Sequence, residues 1–317
     1  MSRMFKKDIP FMKYRWWLFG FSLVLNLFFV GFLFTHGLNF GTDFKGGLNL
    51  VYQFQTTTSE AQLSEILNKA GLDHFVVQKF GIDDQKTFVI KGDLHDSKLG
   101  QEGKLENMSQ PFTQALQAAL GADKVSLIKE EYVGPKVGKE LMTKGIYAVV
   151  WAWVIILIYM AFRFDVYFGI GGIAALIHDV LIALGAFALF GREVNLTVVA
   201  AFLTIIGYSI NDTIIIFDRV REDMVKHKGM DLVSLVDMSI NETLARTIIT
   251  SLTVFFVVAV LFFRAEGDLQ NFAFAMIFGV VTGTYSSVFI ACPVFIFLKR
   301  HGHRFGLGKK KTAVAST

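Results

Sequence analysis

The chain has 317 residues, 53% of them apolar, with a mean hydropathy of +0.49 and a formal net charge of +4. A water-soluble globule of this size would expose too much of that apolar surface, so the composition excludes an ordinary soluble protein and indicates an integral membrane protein. The basic residues flank apolar stretches, so membrane topology explains the positive charge and no nucleic-acid partner is expected. The single cysteine, Cys292, excludes an internal disulfide bond.

The N-terminal residues 1–15 are basic, and an almost uncharged stretch follows at 16–38. This stretch is longer than the hydrophobic region of a secretory signal, and no small-residue cleavage motif follows it. Residues 1–15 are therefore predicted to form a cytoplasmic N-terminus, and residues 16–38 are predicted to form the first transmembrane helix.

Residues 39–142 have the mixed polar composition of a soluble domain. Ser59 begins a capping box that predicts a helix, and Ser109 is expected to cap a second helix. Segments rich in Phe, Val and Ile around these helices are predicted as strands. The order β-α-β-β-α-β predicts an α+β ferredoxin-like domain on the extracytoplasmic (periplasmic) side. The strands are expected at 48–54, 75–80, 87–91 and 125–132.

Residues 143–298 predict five further transmembrane helices. The fold class is therefore a polytopic α-helical membrane protein with six transmembrane helices and the ferredoxin-like domain between helices 1 and 2. A charged loop at 218–246 contains apolar positions between 232 and 240, which predict an amphipathic helix on the membrane surface; a partner-docking face is the alternative. A basic cytoplasmic tail is expected at 299–317. The five helices are expected at about 145–162, 166–190, 194–217, 247–263 and 272–298.

Lysine and arginine are distributed unequally between the two sides of the predicted helices. Seventeen lie in the termini and the segments on one side, whereas Arg192 and Arg264 lie in the short turns on the other side. The positive-inside rule therefore places both termini in the cytoplasm.

Asp212 lies inside the fourth predicted helix, seven residues before Arg219, where the charged loop begins. It is therefore roughly 10 Å deep at about 1.5 Å per residue. A carboxylate at that depth in hydrocarbon is costly and by default marks an ion path or a buried partner. The alternative is an aspartate that only hydrogen-bonds a neighbouring helix.

Other ionisable residues lie in the predicted helices. His178 and Asp179 are near the middle of the third helix, where they would form either a proton relay or a polar clamp between helices. Arg246 begins the fifth helix, and its side chain is long enough either to approach Asp212 or to extend to the cytoplasmic headgroups. If Arg246 approaches Asp212, it favours the charged carboxylate; if Arg246 withdraws, the protonated carboxyl is favoured. This exchange would couple protonation of Asp212 to helix movement.

Gly207, Gly279 and Gly283 are predicted as packing positions, because small residues let transmembrane helices approach closely. No P-loop, HExxH, CxxC or Gly-x-Ser-x-Gly motif occurs. The sequence therefore predicts no enzyme, no metal and no organic cofactor. Any work must draw on an ion gradient or on a partner.

A set of short motifs resembles, in order and over nearly the whole chain, the SecD/SecF family of the bacterial protein-export machinery, and within it the SecF branch. The signature after the first helix, Gly-x-Asp-Phe-x-Gly-Gly, contains Asp43, Gly46 and Gly47. Any one motif alone would be weak, whereas the ordered set is highly specific. The other motifs lie at 133–138, 162–164, 175–180, 207–222 and 244–247.

The resemblance implies membership of the resistance-nodulation-division superfamily and a place in the bacterial cytoplasmic (inner) membrane. It implies that the protein works with SecD and uses the proton motive force to help draw unfolded polypeptides from the SecYEG channel on the outer side. YajC and YidC are further candidate partners, beside membrane lipid. The resemblance implies that Asp212 and Arg246 take part in proton transport, and Asn211, next to Asp212, is assigned to the same ion path.

The coupling ion is expected to be H⁺, and Na⁺ is the alternative, because Ser209, Asn211 and Thr213 offer oxygen ligands beside Asp212. Two other functions remain open. One is a passive scaffold that stabilises SecD or SecYEG, and the other is a stand-alone ion-coupled transporter of small solutes.

Asp43, Gly46 and Gly47 would lie at the junction between the outer domain and the helices. Glycine permits backbone geometries that other residues avoid, so a hinge is one interpretation. A tight turn in which Asp43 is a local cap is the other.

Overall fold

The structure is a computed structural model that describes residues 9–72, 75–80, 86–92 and 108–301. Most of the predicted basic tail and the first eight residues lie outside this range. The helices are α1 (Arg15–His36), α2 (Thr42–Lys45), α3 (Glu60–Lys69), α4 (Gln110–Leu120), α5 (Pro135–Arg163), α6 (Val166–Leu189), α7 (Leu196–Lys226), α8 (Leu232–Arg264), α9 (Gly267–Ser286) and α10 (Cys292–His301). The strands are β1 (Asn39–Phe40), β2 (Gly47–Phe54), β3 (Phe75–Lys79), β4 (Thr87–Gly92), β5 (Val125–Val133) and β6 (Glu193–Val194).

Six segments of the described chain are long and apolar enough to cross a membrane, which confirms the expected number of transmembrane helices. Five of them contain α1, α5, α6, α7 and α8. The sixth comprises α9 and α10, which a π-helical turn at Ser287–Ala291 joins. The central segments α6, α7 and α9 are largely buried in the bundle, whereas α1, α5 and α8 lie at its periphery.

The second transmembrane helix begins earlier than predicted, at Pro135 instead of 145. Proline is favoured in the first turn of a helix because it has no N–H to leave unsatisfied there. The polar residues that follow Pro135 therefore extend the helix towards β5 and do not form a linker.

The prediction of a charged loop at 218–246 is wrong, because most of this segment is helical. Helix α7 continues to Lys226, and α8 begins at Leu232. Asp231 caps α8 by accepting hydrogen bonds from the N–H groups of Val233 (3.0 Å) and Ser234 (3.4 Å). Partial desolvation would raise the pKa of Asp231, but these hydrogen bonds and the nearby Arg300 outweigh it and hold the pKa below its ordinary value.

The predicted amphipathic helix on the membrane surface is also wrong. Residues 232–240 form the first turns of the continuous helix α8, and Leu235, Val236 and Ile240 are buried against the rest of the bundle. Met12, in a short 3-10 helix before α1, belongs to the same apolar cluster. The apolar face that suggested a membrane surface therefore packs against protein.

The αβ domain, which we define as residues 39–133, contains a four-stranded sheet in the order β3-β4-β2-β5 with every neighbouring pair antiparallel. This is the order of a ferredoxin-like fold, as predicted. Helices α3 and α4 cover one face of the sheet, and residues such as Leu48, Leu50 and Phe112 form the core between them. Ser59 caps α3 as predicted, accepting from the N–H of Gln62 (3.2 Å). Ser109 precedes α4 but its hydroxyl donates to Glu130 on β5 (2.7 Å), so it does not cap that helix.

Candidate ion site in the transmembrane bundle

Two carboxylates lie at the centre of the bundle, and both have 0% exposure. Asp179 is on α6 and Asp212 is on α7. The neighbours on each side of these aspartates are mostly apolar and pack into the bundle, which brings each carboxylate into the interior. The two carboxylates differ in how many hydrogen bonds they receive.

Asp179 is fully hydrogen-bonded. Its Oδ1 accepts from His178 Nδ1 (2.9 Å), and its Oδ2 accepts from the hydroxyls of Ser209 (2.5 Å) and Ser286 (2.8 Å). The other ring nitrogen of His178 is hydrogen-bonded to Ser22. This network joins α1, α6, α7 and α9, and buried polar networks of this kind fix one arrangement of the elements that they connect.

Asp212 has far fewer partners. Its Oδ2 accepts one long hydrogen bond from the hydroxyl of Ser251 on α8 (3.4 Å), and its Oδ1 has no hydrogen-bond partner among the described residues. Ser251 in turn accepts from Thr284 on α9 (2.7 Å). A buried polar group without partners is costly. Asp212 can therefore gain a proton or a cation without breaking an established network.

Sequence reasoning missed two further residues with hydroxyl groups, one on the helix of Asp212 and one on the helix of Ser251. Tyr208 precedes Asp212 by one helical turn, and its hydroxyl lies close to Ser251 and Asp212. Thr247 precedes Ser251 by one turn of α8 and is buried, and its hydroxyl has no partner among the described residues. Polar residues four positions apart in apolar helices share one face. That spacing is the signal that could have identified them.

The three residues considered as sodium ligands are not brought to Asp212. Ser209 donates to Asp179, and Thr213 donates to the carbonyl of Ser209 (3.4 Å) and to Ser287 (3.3 Å). Asn211 is exposed on the outer side of α7. Adjacent residues of a helix point in different directions, so closeness in sequence to Asp212 does not place them around its carboxylate.

Arg246 is exposed on α8, five residues before Ser251. Within the described part of the chain, its guanidinium forms no ion pair with Asp212. Of the two alternatives for Arg246, this arrangement of the bundle does not show the ion pair with Asp212. A different buried acid, Asp223 near the end of α7, accepts a hydrogen bond from the hydroxyl of Ser239 on α8 (2.7 Å) and forms an ion pair with Arg219 one turn earlier on α7 (3.2 Å).

Asp43 lies where the αβ domain meets the bundle. Its carboxylate accepts a hydrogen bond from the N–H of Leu196 (2.9 Å), so it caps α7 and not its own turn. Gly46 and Gly47 have positive φ angles of +81° and +154°. A Cβ atom would lie 2.8 Å from Pro135 Cα at Gly46 and 2.5 Å from the Gly92 carbonyl oxygen at Gly47, so close backbone packing requires glycine at both positions.

The predicted packing glycines differ from one another. A side chain at Gly279 would overlap Ile205 on α7, and a Cβ at Gly283 would lie 3.1 Å from the Cβ of Ser209. Both glycines of α9 therefore lie directly against α7. Gly207 faces outwards, with no described atom within 4 Å of the place a Cβ would occupy.

Comparison with known proteins gives consistent matches. Residues 113–301 match the family described as protein export membrane protein SecD/SecF, C-terminal, and residues 31–58 match the SecD/SecF GG motif. The chain is similar to the protein translocase subunit SecF of Gemmatimonas aurantiaca, with 41% identity over 90% of this chain and 86% of that protein. It is 38% identical to the same subunit of Pseudomonas aeruginosa, over 92% and 91% of the two chains.

Two solved structures are also similar. One is SecDF, a translocon-associated membrane protein from Thermus thermophilus, with a TM-score of 0.80, 31% identity and 93% coverage of this chain. The other is SecDF in a super-membrane-facing form, with a TM-score of 0.69, 30% identity and 95% coverage. The chain spans 39% and 40% of those two longer chains.

Proposed function

Because this chain belongs to the SecD/SecF family of protein-export membrane proteins, we propose that it drives a late step of Sec-dependent export by binding and releasing a proton at Asp212. The membrane is the bacterial inner membrane, with both termini in the cytoplasm and the αβ domain outside. The membrane potential supplies about 2.3 kcal/mol per charge per 100 mV. A single titrating carboxylate can use that energy.

The observation that supports this proposal is the difference between the two buried carboxylates. Asp179 is fixed by three hydrogen bonds from three side chains, whereas Asp212 receives one long hydrogen bond. A group that takes up and releases an ion must change its partners during each cycle. Asp212 meets this requirement, and Asp179 is better suited to hold the helices in place.

The proposed cycle uses movement of α8 relative to α7. When Arg246 approaches Asp212, the charged carboxylate is favoured, and when Arg246 withdraws, the protonated form is favoured. Ser251, on the same helix as Arg246, contacts Asp212 in the present arrangement. A shift or rotation of α7 and α8 against each other would exchange one partner for the other.

We propose SecD as the partner that completes the ion path. Asn211 and Arg246 are exposed within membrane-spanning helices, where polar groups facing lipid are costly and usually face other protein. The SecDF structures that resemble this chain are more than twice as long, which supports a second membrane component. SecYEG, an unfolded exported polypeptide and, more peripherally, YajC and YidC are proposed as the other contacts.

Export in inverted membrane vesicles tests the proposal. Asp212→Asn removes the titrating group and keeps nearly the same shape, so we expect ion-driven export to be lost. Asp212→Glu keeps a carboxylate, so this variant should retain part of the ion-driven export. Wild-type export by Asp212→Asn would contradict the proposal and would favour the passive-scaffold function.

A further inference from the structure

A cleft of about 600 Å³ separates the uncovered face of the sheet from the turns that precede α7 and α9. Side chains from all four strands of the sheet face it, as do residues 191–193 and 266–271. The contacts beside this cleft offer one route by which a movement of the bundle can reach the αβ domain.

The first turn of α7 is held by the αβ domain at three points. Strand β1 pairs in parallel with β6, immediately before α7, and Gly41 donates its N–H to the carbonyl of Val194 (2.9 Å). Asp43 caps α7 at Leu196. These two contacts come from the segment that leads into the sheet.

The third contact comes from the sheet itself. Lys91, on β4, forms an ion pair with Glu193, on β6 (2.9 Å), and their side chains are only 17% and 28% exposed. Partial burial reduces solvent screening, so this pair is stronger than a fully exposed one. Asp268, at the start of α9, is a second acidic neighbour of Lys91.

Helix α7 connects this contact to the candidate ion site. Asp212 lies 16 residues after Leu196 on one continuous helix, a distance of about 24 Å at 1.5 Å per residue. Because α7 is continuous between these two points, a shift of α7 at Asp212 can be transmitted to its first turn. The turn at 191–195 is therefore the nearest point at which the αβ domain can follow that shift.

We propose that the Lys91–Glu193 ion pair is a positioning contact that couples movement of α7 to movement of the αβ domain. This inference rests on the proposed function, in which ion binding at Asp212 moves the bundle. The pair joins the αβ domain to the turn before α7 at the edge of the cleft and takes no part in ion binding. Its loss should uncouple export from ion flux and leave the flux itself intact.

Proteoliposomes that contain the full chain with SecD and SecYEG allow ion uptake and export of a preprotein to be measured on the same preparation. We expect Lys91→Gln and Glu193→Gln each to lower the export obtained per ion by about fivefold or more, the low end of allosteric coupling. The double variant should be no worse than the poorer single variant. Ion uptake should stay at the wild-type rate in all three.

The matched control is the pair Lys129–Glu131, which faces the same cleft but lies within β5 (2.7 Å, 58% and 44% exposed). Lys129→Gln and Glu131→Gln should export like the wild type. Unchanged export per ion in the Lys91 and Glu193 variants, additive losses in the double variant, or equal losses in the control would overturn the coupling role. Loss of ion uptake would overturn it too, because the pair would then only maintain the fold.

A second measurement on one folded protein avoids differences in folding between variants. Lys91→Cys with Glu193→Cys can be joined by a reducible bis-thiosulfonate cross-linker. Before cross-linking, export per ion should be as low as in the glutamine variants. Cross-linking should raise it by restoring the link between β4 and β6, and reduction should lower it again; export per ion that does not rise on cross-linking would contradict the inference. If instead Asp212→Asn leaves ion uptake unchanged in the same assay, the proposed function fails, and the coupling result is judged separately.

Discussion

At the scale of single residues, Asp179 and Asp212 allow structure and ion binding to be separated. Asp179→Asn turns one oxygen into an N–H₂ group that cannot accept from Ser209 and Ser286 or from His178. Leaving buried groups unsatisfied costs about 1–3 kcal/mol. Asp212→Asn affects one long hydrogen bond and should cost less. We therefore expect a clearly lower Tm for Asp179→Asn than for Asp212→Asn.

Cys292 provides the readout for this prediction. It is buried and is the single cysteine of the chain, so a thiol-reactive fluorescent dye reports unfolding of the detergent-solubilised protein. Equal Tm values for the two variants would show that the Asp179 network does not stabilise the bundle.

Tyr52, in the core of the αβ domain, gives a prediction about pH. Its hydroxyl is hydrogen-bonded to Thr113 (2.7 Å), and burial raises its pKa from 10.0 to about 12. Because the folded state resists ionisation, the stability from neutral Tyr52 is fully present below pH 10 and is lost as the pH rises towards 12. Urea unfolding should show this loss in the wild type. Tyr52→Phe should lose about 1 kcal/mol at neutral pH and lack the Tyr52 contribution at high pH. An identical pH dependence in both proteins would refute the assignment.

Sequence reasoning found Asp212, because its depth in an apolar helix can be counted from the residues alone. It did not find Ser251 as the hydrogen-bond partner of Asp212 or Thr284 as the partner of Ser251. Those contacts depend on how α7, α8 and α9 are rotated against one another, which is set by packing across the bundle. The same limit explains why Ser209 was considered beside Asp212, although it bonds to Asp179.

At the scale of elements, the turn between α2 and β2 depends on glycine. Gly46 and Gly71 have similar φ angles, +81° and +76°, so alanine is strained at both and costs about 1 kcal/mol. At Gly46 the new Cβ would also lie 2.8 Å from the backbone of Pro135, whereas nothing lies within 4 Å at Gly71. We expect Gly46→Ala to lower the Tm of the whole protein more than Gly71→Ala. A larger effect at Gly71 would show that the contact with α5 is loose.

The number of transmembrane helices and the order of strands follow from local patterns, and both were predicted. The positions at which helices end near charged residues were not predicted. Helix α7 continues past Asp218 because pairs such as Arg219–Glu222 (2.9 Å) and Lys226–Glu222 (2.5 Å) have helical spacing and stabilise its last turns. A charged stretch was interpreted as a loop, although the same charges suit a helix that extends beyond the membrane.

At the scale of the whole molecule, the αβ domain is attached to the bundle at the start of α7, and α7 contains the candidate ion site. The sequence predicted a junction at Asp43, Gly46 and Gly47 but not its partner, since Leu196 is 153 positions away from Asp43. One helix thus connects the αβ domain with a poorly hydrogen-bonded carboxylate. This arrangement is what a device that converts ion binding into domain movement requires.

Proton flux through the reconstituted complex with SecD tests the central claim most directly. In sodium-free buffer, an imposed pH gradient should drive proton uptake by the wild type, measured with a pH-sensitive dye inside the liposomes. We expect Asp212→Asn to abolish this uptake while its Tm stays close to that of the wild type. Wild-type proton uptake by Asp212→Asn would contradict the central claim.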